Sequence, residues 1–250
     1  MSFVKTLGGL VITLAPFWTT SCAPDKKQEA CLEERLDTVT VMLSAQQALE
    51  QGDADQARQL LEDIKERAQD AKHYHVLRGQ VYAALAERVK IPMVFDNRMP
   101  QEEIIRVTRN ARQEKYDLFD EAIRSYKRAI LINEDVTSVQ GLAIAYWQRG
   151  RSLAIPADIA AAADGFMRVL ELNPEKTDTR VALGGVYAWM AMTSADPQEQ
   201  ERLYVHAYAQ FVCARENHKK HPLRDERMLE YVNESIKAFE KRLPEEKRFH

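Results

Sequence analysis

With 250 residues the chain can build one or two domains around a real core, and its 45% apolar and 29% charged residues are those of an ordinary globular protein. Only nine Gly and nine Pro are present, and long stretches lack both, which favours helix over sheet. A formal net charge of -3 speaks against nucleic acid as a partner, because a binder of phosphate backbones carries a basic balance.

The first 21 residues do not read like the rest. Lys5 is a minimal positive start, and Thr6 to Trp18 is an uncharged, mostly apolar run. Such a run falls short of the roughly 20 residues of a membrane-spanning helix and has the form of a signal-peptide core. Thr19-Thr20-Ser21-Cys22 follows, then Ala23-Pro24-Asp25-Lys26-Lys27. This resembles the lipobox of bacterial lipoproteins, with Thr19 where leucine is usual. The resemblance implies a signal peptide over 1–21, cleavage before Cys22, and a thioether-linked diacylglycerol on Cys22, with palmitate among its acyl chains. At about 0.8 kcal/mol per buried methylene, two or three chains form a stable anchor. Ala23 rather than Asp after the cysteine implies the outer membrane, facing the periplasm. The alternative is an ordinary cleaved signal peptide with an incidental cysteine. Cys31 and Cys213 would meet an oxidising compartment, and the sequence leaves open whether they pair.

Residues 22–36 read as a lipidated N-terminus and polar linker, and helical periodicity sets in from Asp37. Ala45-x-x-Ala48-x-x-x-Gly52-x-x-x-x-Ala57-x-x-x-Leu61 places small residues where two helices cross closely and a Gly at the turn between them. Gly79-x-x-Tyr82, Leu142-Ala143-x-x-Tyr146 and Leu183-Gly184-x-x-Tyr187 repeat one pattern. Ala122-Tyr126-Ala129, Ala162-Phe166-Val169 and Ala207-Phe211-Ala214 repeat another, with Pro174 closing the second of these. This resembles the tetratricopeptide repeat (TPR), a helix-turn-helix unit of about 34 residues. The resemblance implies an all-α, right-handed TPR-like α-solenoid over 37–243. It would hold about four repeats, starting near 38, 72, 136 and 177, with inserts. Leu223 to Leu243 reads as a capping helix with Met228, Leu229, Val232, Ile236 and Phe239 on one stripe, and 244–250 as a polar tail.

The largest insertion covers about 90–116. Lys90-Ile91-Pro92-Met93-Val94-Phe95 breaks a helix and exposes apolar residues, while Pro100 and Gln101-Glu102-Glu103 suit the start of a new one. From Gln101 to Ile132 no Gly or Pro occurs. The reading is one helix of about 48 Å at 1.5 Å per residue, its first half projecting beyond the repeats or folding back on them. Arg106, Arg109, Arg112 and Lys115 form a basic stripe on it. That stripe is either a patch for anionic headgroups or an acidic partner, or a solvated face offset by Glu102, Glu103 and Glu114.

No signature of catalysis is present: no HExxH, no GxSxG, no phosphate loop and no zinc CxxC pair. His73-x-His75 points to two sides of a helix, and His218-Lys219-Lys220-His221 sets two lysines against a cation. The chain therefore reads as no enzyme, with no cofactor and no metal. The TPR resemblance implies a concave groove lined by the first helix of each repeat. Carried over residue by residue, it holds Met42, Gln46, Gln80, Gln140, Ile144, Trp147, Gln148, Val181 and Trp189. The tryptophans fall in adjacent repeats and are expected to bracket one apolar group, or else to fill the core between repeats. The function so implied is a protein-interaction scaffold in cell-envelope assembly, anchored in a membrane by Cys22. The rival is a ligand-handling accessory of a periplasmic solute-binding (TRAP-type) transport system. A closed pocket at the tryptophans would favour the rival, and an open trough the scaffold.

Overall fold

The computed structural model describes residues 26–92, 99–220 and 226–248, with side chains from residue 32 onward. The signal peptide and Cys22, the Cys31 side chain, Met93 to Phe95 and Leu223 lie outside the described residues. The chain divides into two compact units, residues 1–37 and 38–250.

The described residues form α-helices and one 3-10 turn, with no strand among them. In chain order they are α1 (Lys26–Glu50), α2 (Ala54–Asp63), α3 (Lys65–Ala68), α4 (Lys72–Arg88), α5 (Gln101–Ile132), α6 (Val136–Leu153), α7 (Pro156–Leu172), α8 (Thr177–Thr193), α9 (Pro197–His218) and α10 (Glu226–Arg242), then the turn Glu245–Lys247. The second unit is a TPR-like α-solenoid. Its helical hairpins are the part of α1 from Thr38 onward with α2 and α3, α4 with α5, α6 with α7, and α8 with α9, and α10 packs on α9.

Local chemistry sets the boundaries. Gly52 takes a left-handed conformation (φ +84°) in the first turn, and the Asp53 side chain caps α2 by accepting from the Gln56 amide at 3.0 Å. Asp135 caps α6 through the Ser138 amide, and Asp196 caps α9 through the Gln198 amide. Proline occupies the first turn of α7 and α9, where its missing N–H costs nothing. The expected long helix is α5, running its full 32 residues from the end of Pro100. One expectation changes: α1 begins at Lys26, inside the stretch read as a linker. Lys26 to Arg35 is polar but made of strong helix formers without Gly or Pro, and polarity marks a solvated face as readily as a loop. The end of the chain packs back on the stack. Leu243 is buried, and Lys247 pairs with Glu201 of α9.

The core lies within and between the hairpins, and rings seated where side chains are missing build it. All nine residues of the second-helix pattern are buried, from Ala122, Tyr126 and Ala129 to Ala207, Phe211 and Ala214. The Tyr126 ring sits between Gly79 of α4 and Gly141 of α6, so close that a Cβ on Gly79 would lie 2.8 Å from it and one on Gly141 would overlap it. Burial pushes the Tyr126 phenol well above its ordinary pKa. In the last hairpin Phe211 faces Gly184, where an added Cβ would come within 3.0–3.2 Å of the ring. A helix-interior glycine costs about 1 kcal/mol against alanine, and here the glycine allows a crossing so close that a larger residue would require the ring to shift. Beyond Phe211, α10 closes the stack with Val232, Ile236 and Phe239, the Phe239 ring stacked on Phe211 at 5.9 Å.

Gly184→Leu is predicted to overpack this crossing, because Phe211 is fully buried and has nowhere to go. The expected cost is about 1–3 kcal/mol, read as a fall of several degrees in the thermal melt. An unchanged melt would show that Gly184 does not face Phe211.

Candidate functional site

The first helices of successive hairpins lie side by side: α4 packs against α6, and α6 meets α8 through side chains. Gln140 of α6 donates to the Asp178 carboxylate of α8 at 3.4 Å, and Trp147 of α6 meets Trp189 of α8. Helical spacing puts Gln140, Ile144, Trp147 and Gln148 on one face of α6. Ile144 is exposed at 37%, and both tryptophans are half-buried with part of their surface against the core of Ala143, Ile159, Phe166 and Val186.

The tryptophans do not bracket a guest. Their ring centroids are 6.1 Å apart at an interplanar angle of 89°, an edge-to-face contact that leaves no space between them. They form one bent apolar surface, and the Arg151 guanidinium lies 5.7 Å from the Trp147 ring centroid. The remaining residues read as groove-lining divide. Gln46 and Gln80 are exposed, Gln46 donating to Glu50 at 3.0 Å, and Met42 is half-buried. Val181 is buried in the core shared with α9 and presents little surface. Gln148 is half-buried, and its carbonyl oxygen is buried without a hydrogen-bond partner.

Sequence reasoning missed Tyr231. It lies on α10 beside the apolar stripe rather than on it, 48% exposed, edge-on to Phe211 at 5.6 Å. Its hydroxyl sits 3.8 Å from where a Cβ on Gly185 would be. The capping helix thus adds an aromatic beside α8, and an aromatic flanking an otherwise apolar stripe was the available signal.

It also missed a polar node where α6 meets α5 and α7. Arg149 of α6 is 7% exposed and donates twice to the Asp158 carboxylate of α7, at 2.7 and 2.9 Å. A third bond reaches Asp120 of α5 at 3.2 Å, and the guanidinium lies over the Tyr116 ring at 4.8 Å. Burial alone would lower the Arg149 pKa, but hydrogen bonding and attraction to Asp158, with Tyr116 and Asp120, hold it above its ordinary value. Arg78 of α4 plays a similar part, bonded to Ser125 at 2.9 Å and Glu121 at 3.0 Å of α5, with Tyr82 4.7 Å beneath it.

The basic stripe of α5 does not act as one surface. Arg106 pairs with Glu103 at 3.3 Å, Arg112 donates to the Leu153 carbonyl at 2.9 Å, and Lys115 is buried and donates to the Val89 carbonyl at 3.1 Å. Two of the four cations therefore fasten α5 to neighbouring turns, and Arg109 is left exposed. His75 contacts the Gln69 carbonyl at 2.7 Å, while His73 is exposed. Among the described residues no group of three or more His, Cys, Asp or Glu stands in a metal-binding arrangement, and no helix is long and apolar enough to cross a membrane.

No family model and no curated protein matches the sequence. Among solved structures the chain is similar to TTC0263, a thermophilic TPR protein in Thermus thermophilus. The identity is 15%, the TM-score 0.55, and the match covers 83% of this chain and 86% of that one. Similarity also extends to YrrB, described as a TPR protein with an unusual peptide-binding site, at 15% identity and TM-score 0.45 over 88% of this chain and 100% of that one. The MamA protein is similar at 16% identity and TM-score 0.46 over 82% and 93%. The likeness to the Thermus protein gives the fold, a TPR-like stack of helical hairpins.

Proposed function

We propose that this chain is a membrane-anchored TPR-like lipoprotein that serves as a protein-interaction scaffold in cell-envelope assembly. The observation that carries the reading is the strip on α6 and α8: Gln140, Ile144 and the edge-to-face pair Trp147–Trp189, part seated in the core and part facing outward. Rings held this way lose little freedom on binding, and aromatic anchors of this kind supply much of an interface's affinity. The buried polar residues Arg149, Asp158 and Arg78 are engaged with partners inside the fold, which fits a binding surface better than a catalytic cleft.

The anchor rests on the sequence: the uncharged run Thr6 to Trp18, then Ser21-Cys22, with Ala23 favouring the outer membrane and a periplasmic domain. A ligand-handling role beside a solute-binding transport system would call for an enclosed pocket at the tryptophans. Their mutual contact fills that space, which favours the scaffold.

Two experiments bear on this reading. After cross-linking in the host has captured a partner, Trp147→Ala and Trp189→Ala are each expected to weaken its binding about tenfold or more, with the helical circular dichroism retained. Variants that melt or aggregate instead would make the tryptophans core residues and remove the strip as a site. Cys22→Ser is expected to block processing and shift the protein out of the membrane fraction, and wild-type fractionation of that variant would place the anchor elsewhere.

A further inference from the structure

The first half of α5 departs most from the repeat plan. From Gln101 to Glu114 it contributes no buried residue, the first being Lys115. This overhang runs beside the turn from α6 to α7 and encloses with it a groove of about 610 Å³. Ile104, Ile105 and Tyr116 of α5 line it, together with Leu153 at the end of α6 and Ile155 of the turn. Ile105 is 49% and Tyr116 39% exposed, so apolar surface faces solvent on a helix that otherwise had every chance to be polar.

Two ties fix this groove in place. Arg112 donates to the Leu153 carbonyl at 2.9 Å and so bonds the overhang to the end of α6. The turn itself is specific: α6 ends in Ala154 with φ +58°, a left-handed conformation that L side chains rarely adopt. Beneath it, Tyr116 rests against the buried guanidinium of Arg149.

Among the described residues, the charge lining the groove is of one sign. Arg109 and Arg112 both line it, and among the described residues no acidic side chain does. Arg112 has the Leu153 carbonyl as its partner, not a carboxylate, and Arg109 projects into solvent. From Ile104 to Tyr116 the wall is about 18 Å long at 1.5 Å per residue, which matches about three turns of a second helix.

We propose that this groove, separate from the strip on α6 and α8, docks an amphipathic helix of a protein partner. Its aliphatic side chains enter between Ile105 and Leu153, and an Asp or Glu beside them pairs with Arg109 and Arg112. Helix-in-groove binding of this kind reads anchors spaced three or four residues apart, and the two arginines set orientation by charge.

The test is to pan a random library of peptides of roughly 16 residues, about four helical turns, against the full chain, with Ile105→Asp/Arg109→Glu as the depletion bait. Both substituted side chains are exposed, so the fold tolerates the changes. Enriched peptides are expected to carry aliphatic residues at helical spacing next to Asp or Glu, and to bind the double variant about tenfold more weakly. Arg109→Glu alone should recover affinity for the same peptides with Lys in place of the acid. The proposal is overturned if no peptide separates the two baits or if selected peptides lack acidic residues. It is equally overturned if Trp189→Ala abolishes the same binding. Loss of self-association in Ile105→Asp, or binding of anionic vesicles in place of peptides, would also exclude a partner helix.

Discussion

Arg149 brings a full charge to a position that is 7% exposed, where α5 meets the hairpin of α6 and α7. Its planar fork matches the Asp158 carboxylate with two bonds, its remaining arm reaches Asp120, and Tyr116 covers its face. Taking a guanidinium and a carboxylate out of water costs several kcal/mol per ion, so the pair need not add much net stability. What it does is make one arrangement far better than its neighbours. A slip of α7 by one residue, or a rotation of α5, would strand a buried charge. The register of α5, α6 and α7 is therefore held by polar geometry as well as by ring packing.

Two surfaces inherit that register. On one side of α6, Trp147 is carried to Trp189, so the strip proposed to bind a partner depends on α6 keeping its angle to α8. On the other side, Tyr116 of α5 and the turn at Ala154 are both within reach of Arg149 or its helix, so the groove under the α5 overhang depends on the same node. The rest of the stack follows a simpler rule. Tyr126 sits between Gly79 and Gly141, and Phe211 against Gly184, each ring filling the gap left by an absent side chain. High packing density then makes each hairpin a template for the next.

Much of the architecture was legible because it is local. Helix starts near 72, 136 and 177 coincide with α4, α6 and α8, and Gln101 to Ile132 is one helix because nothing within it breaks a helix. The small–aromatic–small pattern is a packing rule written at fixed spacing, and its members are buried as that rule requires. The start of α1 was not legible, since a polar helix and a polar linker share a composition. Nor was the contact of Trp147 with Trp189: repeat register places the two residues in adjacent repeats, but whether the rings touch or leave a gap depends on side-chain rotation. Arg149 and Asp158 lie nine positions apart on different helices, and no periodicity within one helix links them. The stripe Arg106, Arg109, Arg112 and Lys115 looked uniform because periodicity cannot tell which cation will find a carbonyl on a segment distant in the chain.

The account is tested most directly at the node itself, by urea unfolding of Arg149→Met, Asp158→Leu and the double variant. Removing one partner leaves the other buried and uncompensated, so each single change should cost about 3–5 kcal/mol, while the double variant should recover most of that loss. Single changes costing less than about 1 kcal/mol, or effects that simply add in the double variant, would contradict a register held by this buried pair.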